Sequence, residues 1–320
     1  MAIPDRRIEA LAGIYRPPKI TPGSLEVMDI PGLASGSTAG EGRGAKLLAH
    51  LKDVDALLHV VRCFEDERVP FAYTTIDPAR DVETIDLEMV VADSQTLDNK
   101  ISRLAKKART DPDVARQVAD CQIVKASLDQ GIPARRQNLT ADELASIREC
   151  NLLSIKPALY VANIRSMDEF GNRYLRALET IAESEGAEVL AVCGRDEADI
   201  SQLDPADRPE FLAALGLEES SMERLLRAGN RMLGLVNFFT AGEKEVHVWT
   251  CHCGDKAPVA AGKIHTDMED GFIRMEVIRC DDLIELGSEA AVAKAGRQRV
   301  EGRTYEVQDG DVVVVLFNPN

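Results

Sequence analysis

The sequence lacks a run of about 18 apolar residues, and it lacks an excess of positive charge. The first absence leaves no candidate membrane-spanning helix, and the N-terminus Met-Ala-Ile-Pro-Asp-Arg-Arg has the features of neither a signal peptide nor a transit peptide. The 38 Lys and Arg residues are outnumbered by 54 Asp and Glu, and the formal net charge of −16 repels DNA, RNA and anionic lipid. We therefore expect a cytoplasmic protein with no membrane partner and no sequence-specific DNA partner, in which any RNA contact needs a local basic patch.

The sequence also lacks a pattern of cysteines that would predict disulfide pairs. The seven cysteines are odd in number and widely spread, which suits reduced thiols better than a disulfide framework. Cys251 and Cys253 flank His252, with His247 and His265 nearby, so a metal site is conceivable. Against it, Cys-x-Cys lacks the spacing of zinc knuckles. The alternation of side chains from His247 to Cys253 predicts one face of a strand instead.

A third absence is the phosphate-cradling loop G-x-x-x-x-G-K-[ST], in which glycine N–H groups, a lysine and a hydroxyl hold the phosphates and Mg²⁺. The only Gly-Lys pair, Gly262-Lys263, is followed by Ile264, and Ala257 stands where the first glycine belongs. Without the loop a triphosphate loses charge-assisted partners worth about 1.5–3 kcal/mol each. We expect millimolar affinity or worse for ATP or GTP in these residues.

A phosphate-sensing turn is nevertheless present. Asp29-Ile30-Pro31-Gly32 follows an apolar run that predicts a strand at residues 25–30, and a glycine-rich segment follows at 34–44. In P-loop NTPases an Asp at this position coordinates Mg²⁺, and the Gly donates its N–H to the γ-phosphate. Asp29 is thus the candidate metal ligand and Gly32 a candidate nucleotide-binding residue, although Asp-x-Pro-Gly also suits any tight turn.

Two further candidates stand where predicted strands end. Asn163 ends the apolar run 158–163, and its amide could bind the edge of a purine base or simply cap a turn. Cys193-Gly194 ends the run 188–193 and could supply backbone donors beneath a base. Leu33 replaces the Gln that orients the attacking water in Ras-like enzymes, so water would have to be placed otherwise.

The order of elements predicts an α/β fold. A helix at 5–15 with Asp5 as its N-cap precedes the strand at 25–30. Continuous apolar runs at 56–64, 158–163 and 188–193 indicate a parallel sheet covered on both faces, with ligands at the carboxyl ends of its strands. Helices at 45–52 and 174–184 alternate with these strands.

Residues 83–150 interrupt this alternation with a helical pattern alone and predict an inserted antiparallel hairpin. Its basic residues are Lys106, Lys107 and Arg109 on one side and Arg135 and Arg136 on the other. They are either solvated helix ends or contacts for RNA phosphates.

After residue 237 the pattern changes to a small α+β module. It predicts strands at 245–252, 272–280, 304–307 and 312–317 and a helix at 280–296, after a helical link at 220–236. The predicted domains are 1–82, a partial nucleotide domain, 83–150, the helical insertion, 151–236, the rest of the nucleotide domain with the link, and 237–320, the C-terminal module.

Several motifs together resemble the YchF/Ola family of Obg-related ATPases over nearly the whole chain. They are Asp29-Ile-Pro-Gly-Leu33, Gly40-Glu-Gly-Arg-Gly44, His59-Val-Val-Arg-Cys-Phe64, Lys156-Pro-Ala-Leu-Tyr-Val-Ala-Asn163, Phe239-Thr-Ala-Gly242, Ala261-Gly-Lys-Ile-His-Thr-Asp267, Gly271-Phe-Ile-Arg274 and Asp309-Gly-Asp311. The resemblance implies an Obg-type P-loop NTPase domain split by a helical coiled coil, and a C-terminal TGS domain of ubiquitin-like fold. It also implies Mg²⁺ dependence, ATP preferred over GTP, and association with the ribosome or its RNA.

The family's base-recognition motif Asn-x-x-Glu maps to Asn163-Ile164-Arg165-Ser166, so the resemblance assigns Asn163 and the backbone of Ile164 to the adenine. Ser166 replaces Glu, which puts the choice between ATP and GTP in doubt. Family members also place a first strand, the phosphate loop and a first helix ahead of the residues that align with Asp5, so we expect roughly forty residues to be absent, the phosphate loop among them.

Two functions follow. The chain is either a nucleotide hydrolase of this family acting on or near the ribosome, with hydrolysis doubtful without the phosphate loop, or a nucleotide-independent ribosome or RNA adaptor that uses the hairpin and the TGS domain. A metal or redox protein built on Cys251 and Cys253 is a minor third possibility. The sequence leaves open whether the 320 residues are an enzyme by themselves.

Overall fold

The structure is a computed structural model that describes residues 1–30, 43–71, 73–204 and 206–318. Within these ranges the strands are β1 (Lys19–Thr21), β2 (Leu57–Arg62), β3 (Ala158–Asn163), β4 (Val189–Val192), β5 (Leu235–Ala241), β6 (Glu245–His252), β7 (Phe272–Arg279), β8 (Arg299–Glu301) and β9 (Asp311–Phe317). The α-helices are α1 (Arg6–Tyr15), α2 (Arg43–Lys52), α3 (Pro78–Leu104), α4 (Pro112–Leu128), α5 (Ala141–Ile147), α6 (Arg173–Glu185), α7 (Gly194–Gln202), α8 (Arg208–Ala214), α9 (Ser221–Met232), α10 (Ala257–Ile264), α11 (Thr266–Asp270), α12 (Cys280–Leu286) and α13 (Glu289–Lys294). None of the described helices is long and apolar enough to cross a membrane.

The chain divides into two compact units, which are described separately. Unit A consists of residues 28–222, and unit B consists of residues 1–27 together with 223–320. Residues 1–27, predicted to belong to the partial nucleotide domain, pack instead with the C-terminal residues. The remaining predicted domain boundaries stay predictions.

The sheet of unit A is parallel, with strand order β2-β3-β4. The three apolar runs that predicted strands are confirmed. The first five residues of β3 are buried, as a central strand covered on both faces requires. β2 differs from the prediction, because Val60 is 64% exposed and the strand lies at an edge of the described sheet. Leu175 and Leu178 of α6 pack into the core beside this sheet.

The predicted helical insertion is confirmed as an antiparallel hairpin of α3 and α4. The Ser94 hydroxyl on α3 donates to the Asp129 carboxylate just after α4, and Lys125 on α4 pairs with Asp98 on α3 at 3.4 Å. A later position on α3 thus meets an earlier position on α4, so the two helices run in opposite directions. Aspartates with extended backbone cap both helices ahead of a proline, Asp77 at α3 and Asp111 at α4.

The structure corrects the prediction for Arg135 and Arg136, the basic residues on one side of the hairpin. Both guanidinium groups pair with Asp86 of α3 and with Glu185 at the end of α6, and the Arg135 side chain is only 8% exposed. Tyr160 of β3 donates to the same Glu185 carboxylate at 3.1 Å. Arg135 is therefore neither a solvated helix end nor a contact for RNA phosphates. It ties the hairpin to the sheet.

Unit B is a mixed sheet with helices on both faces and strand order β1-β6-β5-β9-β7-β8. One face packs on α10, with Phe238, Met275 and Val313 at its core. The other face packs on α1 and α12 through a separate cluster that includes Leu11 and Phe239. The predicted helix at 5–15 is confirmed as α1, and Asp5 caps it by accepting from the Arg7 N–H. The Gly262-Lys263 pair lies inside α10.

The predicted strand at residues 25–30 is wrong. These residues have no regular secondary structure, and Val27 and Met28 are 44% and 47% exposed. A strand requires a paired neighbour and a buried face, and only Ser24, just before the segment, forms a bridge, with Ala2. The strand that precedes this segment is β1, which pairs in parallel with β6 of the C-terminal sheet.

Three details of the C-terminal module also differ. β5 begins at Leu235, inside the predicted link. Residues 304–307 form only an isolated bridge, between Glu306 and Lys256, instead of a strand. The single helix predicted at 280–296 is split into α12 and α13, because Gly287 takes the left-handed conformation with φ of 76°.

Candidate functional site

Three parallel strands end at the same edge of the unit A sheet, and their last residues form the candidate site. Asn163 ends β3 and lies in register with Arg62, the last residue of β2. The next turn along the edge carries Gly194, whose N–H donates to Asn163 Oδ1 at 3.4 Å. The sequence predicted both residues as ligands at strand ends, and the structure brings them into direct contact. Ligands of open α/β sheets bind at this kind of edge.

The N-terminus of α7 adds to the donors at this edge. The helix begins at Gly194 directly after β4, and its N-cap is Cys193. The first N–H groups of a helix have no partner within the helix and carry partial positive charge, so they suit an electronegative group of a ligand. Cys193 itself is buried, and its thiol donates to the carbonyl of Arg165 at 3.2 Å. That contact joins the end of β4 to the segment after Asn163.

Ile164 lies directly after Asn163, and the assignment of its backbone to the base stays a prediction. Its side chain is only 1% exposed and belongs to the core under the sheet. Its N–H already donates to the Val192 carbonyl at 2.9 Å. Ile164 therefore fixes the backbone that carries Asn163, and its N–H is not free to bind a base.

The phosphate-sensing turn is only partly within the described residues. Asp29 lies in the exposed irregular segment, and the adjacent Ile30 packs against the core formed by Leu51, Met89 and Leu153. Gly32, Leu33 and the glycine-rich segment to residue 42 lie outside the described residues. Asp29 remains the candidate Mg²⁺ ligand from the sequence, and its assignment stays a prediction.

Arg62 and residues 64–71 border this edge and were not recognised as site residues. The signal available in the sequence was the motif His59-Val-Val-Arg-Cys-Phe64, which marked the family without assigning Arg62 a role. The hydrogen bonds of Arg68 hold the pKa of the Asp66 carboxyl well below its usual range, and the charge of Arg165 adds to the shift. The Cys63 N–H donates to the Asn163 carbonyl at 2.8 Å, so residues 64–71 begin directly after a residue that is hydrogen-bonded to Asn163.

The cysteine-rich strand offers no metal centre. The predicted strand is confirmed as β6, with Cys251 buried in the core and Cys253 exposed beyond the strand end. Burial raises the pKa of the Cys251 thiol to about 12, which disfavours the thiolate that a metal needs. Across the described ranges, no three His, Cys, Asp or Glu side chains are grouped to hold a metal ion.

Comparisons with known proteins agree with this arrangement. Residues 235–318 match the family model YchF-GTPase_C, described as a protein of unknown function, DUF933. The ribosome-binding ATPase YchF of Haemophilus ducreyi is 43% identical over 317 residues, covering 99% of this chain and 87% of the relative. The protein of the same name from Bacillus subtilis is 39% identical over 320 residues, with the same coverage. The solved structure of the Schizosaccharomyces pombe YchF GTPase is 30% identical, with a TM-score of 0.88, and covers 99% of this chain and 86% of that chain.

The parallel sheet of unit A and the hairpin inserted in it make this unit an α/β domain whose strand ends meet at one edge. About two residues in five are identical to those of the two bacterial relatives, over 99% of this chain. The chain belongs to the YchF family.

Proposed function

We propose that this protein binds a purine nucleotide at the edge formed by Asn163 and Gly194, with ATP preferred over GTP, and acts on or near the ribosome in the cytoplasm. The observation that carries the proposal is the contact between these two residues at the carboxyl ends of parallel strands. The names of the relatives support it, since they are called ribosome-binding ATPases and a GTPase.

The chemistry at this edge suits a base. Because Asn163 Oδ1 faces the Gly194 N–H, its Nδ2 is left to donate to a ring acceptor. Asp29 would hold Mg²⁺ and Gly32 would donate to the γ-phosphate, as in other proteins with the Asp-x-x-Gly turn. Mg²⁺ would supply charge neutralisation between the phosphates and the Asp29 carboxylate.

Nucleotide binding by these 320 residues is expected to be weak. They contain no G-x-x-x-x-G-K-[ST] sequence, and Leu33 stands in place of a water-orienting Gln. The proposal therefore rests on recognition of the base, and it leaves phosphoryl transfer by these residues open.

The hairpin and the C-terminal module supply the proposed ribosome contacts. Lys106, Lys107 and Arg109 are exposed at the turn between α3 and α4. This is the kind of local basic patch that a chain with a net charge of −16 needs in order to approach rRNA. On the basis of the family resemblance we assign residues 237–320, which contribute most of the strands of unit B, as the TGS domain.

The test is co-sedimentation with purified ribosomes over a salt series, with no nucleotide, with Mg-ATP and with Mg-GTP at millimolar concentration. We expect pelleting that weakens steeply with salt and that changes with ATP more than with GTP. Asn163→Ala should abolish the nucleotide effect without abolishing pelleting. Ser184→Ala, at an exposed position on α6 outside the hairpin and unit B, is the control and should behave as the unaltered chain.

The second candidate function is a nucleotide-independent adaptor, and the exposed Lys106, Lys107 and Arg109 of the hairpin support it. It predicts pelleting that is identical with and without nucleotide, in the unaltered chain and in Asn163→Ala alike. Pelleting that is absent or insensitive to salt would contradict an RNA contact in both cases.

A further inference from the structure

Arg62 organises the loop beside the candidate base site. Its Nε donates to the Phe64 carbonyl at 3.1 Å, its Nη1 to the Val69 carbonyl at 3.1 Å and its Nη2 to the Asp66 carbonyl at 3.0 Å. A longer contact of 3.5 Å joins Nη1 to the carbonyl of Pro70. One guanidinium group thus binds carbonyls spread over residues 64–70. We call residues 64–71 the Arg62 loop.

Two aromatic rings complete the surroundings of the guanidinium. Its central carbon lies 4.6 Å from the centroid of the Phe64 ring and 5.0 Å from that of the Phe71 ring. A planar cation held over aromatic faces gains cation–π attraction in addition to its hydrogen bonds. The first and last residues of the loop are therefore both held by the residue that ends β2.

Further hydrogen bonds lie within the loop and at the residue just before it. The Asp66 side chain, only 6% exposed, accepts two hydrogen bonds from the Arg68 side chain and one from the Arg68 N–H. Asn172, the N-cap of α6, donates to the Cys63 carbonyl at 2.9 Å. The loop is thus a fixed structure that starts one residue beyond the strand paired with Asn163.

We propose that Arg62 is a positioning residue of the nucleotide site, which holds the Arg62 loop as a wall for the purine nucleotide that Asn163 binds. The ligand part of this proposal rests on the proposed function. Arg62 itself is committed to the loop, because its three nitrogen atoms all donate to carbonyls of residues 64–70. It acts on the ligand through the loop.

Arginine is the residue type that this role requires. A lysine would keep the charge, but its compact ammonium has no planar surface to lie over the two rings and cannot spread donors over carbonyls so far apart. Arg62→Lys and Arg62→Met should therefore both loosen the loop. Arg176→Met, an exposed arginine on α6, is the matched control and should change nothing.

The first measurement is limited trypsinolysis of the full chain without nucleotide, with mass spectrometry of the product that ends at Arg68. Arg68 is 73% exposed at its side chain, so the order of the loop is what protects the following bond. We expect cleavage there to be about tenfold faster in Arg62→Lys and Arg62→Met, because local opening controls proteolysis. A third variant, Arg62→Ala, tests the same point with an added cation. Methylguanidinium should restore its protection from cleavage, whereas methylammonium should not. Unchanged cleavage in both variants would overturn the role of Arg62 in the loop.

The second measurement is ligand-observed NMR titration with Mg-ATP at millimolar concentration. The Arg62 variants should bind about tenfold more weakly than the unaltered chain and Arg176→Met, with methylguanidinium again restoring Arg62→Ala. Faster cleavage with unchanged ATP affinity would show that the loop is not a wall of the site and would overturn the positioning role. No binding by the unaltered chain, even with a loop that opens as expected, would overturn the proposed function and the positioning role with it.

Discussion

At the scale of single residues, His59 is a partly buried titratable group to which the sequence assigned no role. It lies on β2 opposite Tyr160, with ring centroids 5.8 Å apart. Burial lowers the pKa of His59 to about 4, and the nearby positive charge of Arg135 adds to the shift, while Glu185 opposes it. The imidazole is therefore neutral in the folded protein at physiological pH.

This depressed pKa predicts a pH dependence of stability. Between pH 6.5 and 4 the unfolded chain protonates His59 and the folded chain does not, so its contribution to stability is fully present above 6.5 and is lost as the pH falls. The total loss should be about 3 kcal/mol. The free energy of unfolding of the unaltered chain and of His59→Gln should be measured with denaturant across this pH range. The difference between the two free energies should change by that amount. His252→Gln, at an exposed histidine, is the control, and an equal slope in both variants would contradict the prediction.

At the scale of elements, residues 153–156 connect helix α2 to the hairpin and to β3. The Lys156 ammonium donates to the Leu51 and Lys52 carbonyls at 2.6 Å and 2.9 Å and also to the carbonyl of Val54, which satisfies the C-terminal end of α2. Asp93 of α3 accepts from the N–H groups of Leu153 and Ser154 in the same segment, at 2.8 Å and 2.7 Å.

Replacing the buried ammonium tests this connection. Lys156→Met keeps the length of the side chain but leaves the carbonyls at the end of α2 without their donor. Because removal of a buried charge also relieves desolvation, we expect a net loss of about 1–3 kcal/mol in the free energy of unfolding. Hydrogen exchange should accelerate at residues 48–52. Lys52→Met, at an exposed lysine in the same helix, should cost less than about 0.5 kcal/mol. An equal effect of both substitutions would show that Lys156 does not stabilise α2.

At the scale of the whole molecule, the N-terminal residues complete the C-terminal unit. Leu11 of α1 is fully buried in the cluster formed with Phe239, Val248 and Val312. β1 extends the sheet by pairing with β6. Arg7 links Asp5 to Asp309, with its Nη1 2.6 Å from the Asp309 carboxylate. The family model covers residues 235–318 only and so includes none of these contacts.

A polypeptide of residues 223–320 should therefore fold poorly by itself. We expect it to bind a hydrophobic dye and to unfold without a cooperative transition, because the sheet face under α1 is uncovered. Joining residues 1–27 through a flexible linker should restore a cooperative transition. The same linked chain with Ile8 and Leu11 changed to Ser is the matched control and should not be restored. Cooperative unfolding of residues 223–320 alone would contradict the prediction.

The parts of the fold and site that could be predicted depend on local patterns. Asn163 and Gly194 were found because each follows an apolar run, and parallel strands bring such ends together. The roles of Arg135 and Arg62 could not be found in this way. Arg135 meets its partner Asp86 across 49 positions of sequence, and Arg62 recognises carbonyls of the backbone, which carry no sequence signal.

The sequence by itself determined the parallel strands of unit A, the hairpin, the cap of α1 and the family, because spacing, capping residues and short motifs act over a few positions of chain. Only the tertiary structure decided that residues 1–27 join the C-terminal sheet, that residues 25–30 do not form a strand, and that Arg135 is buried. These outcomes depend on which partner a strand edge, an apolar face or a charge meets. Lys19 and Glu245, paired across most of the chain, meet only when it folds.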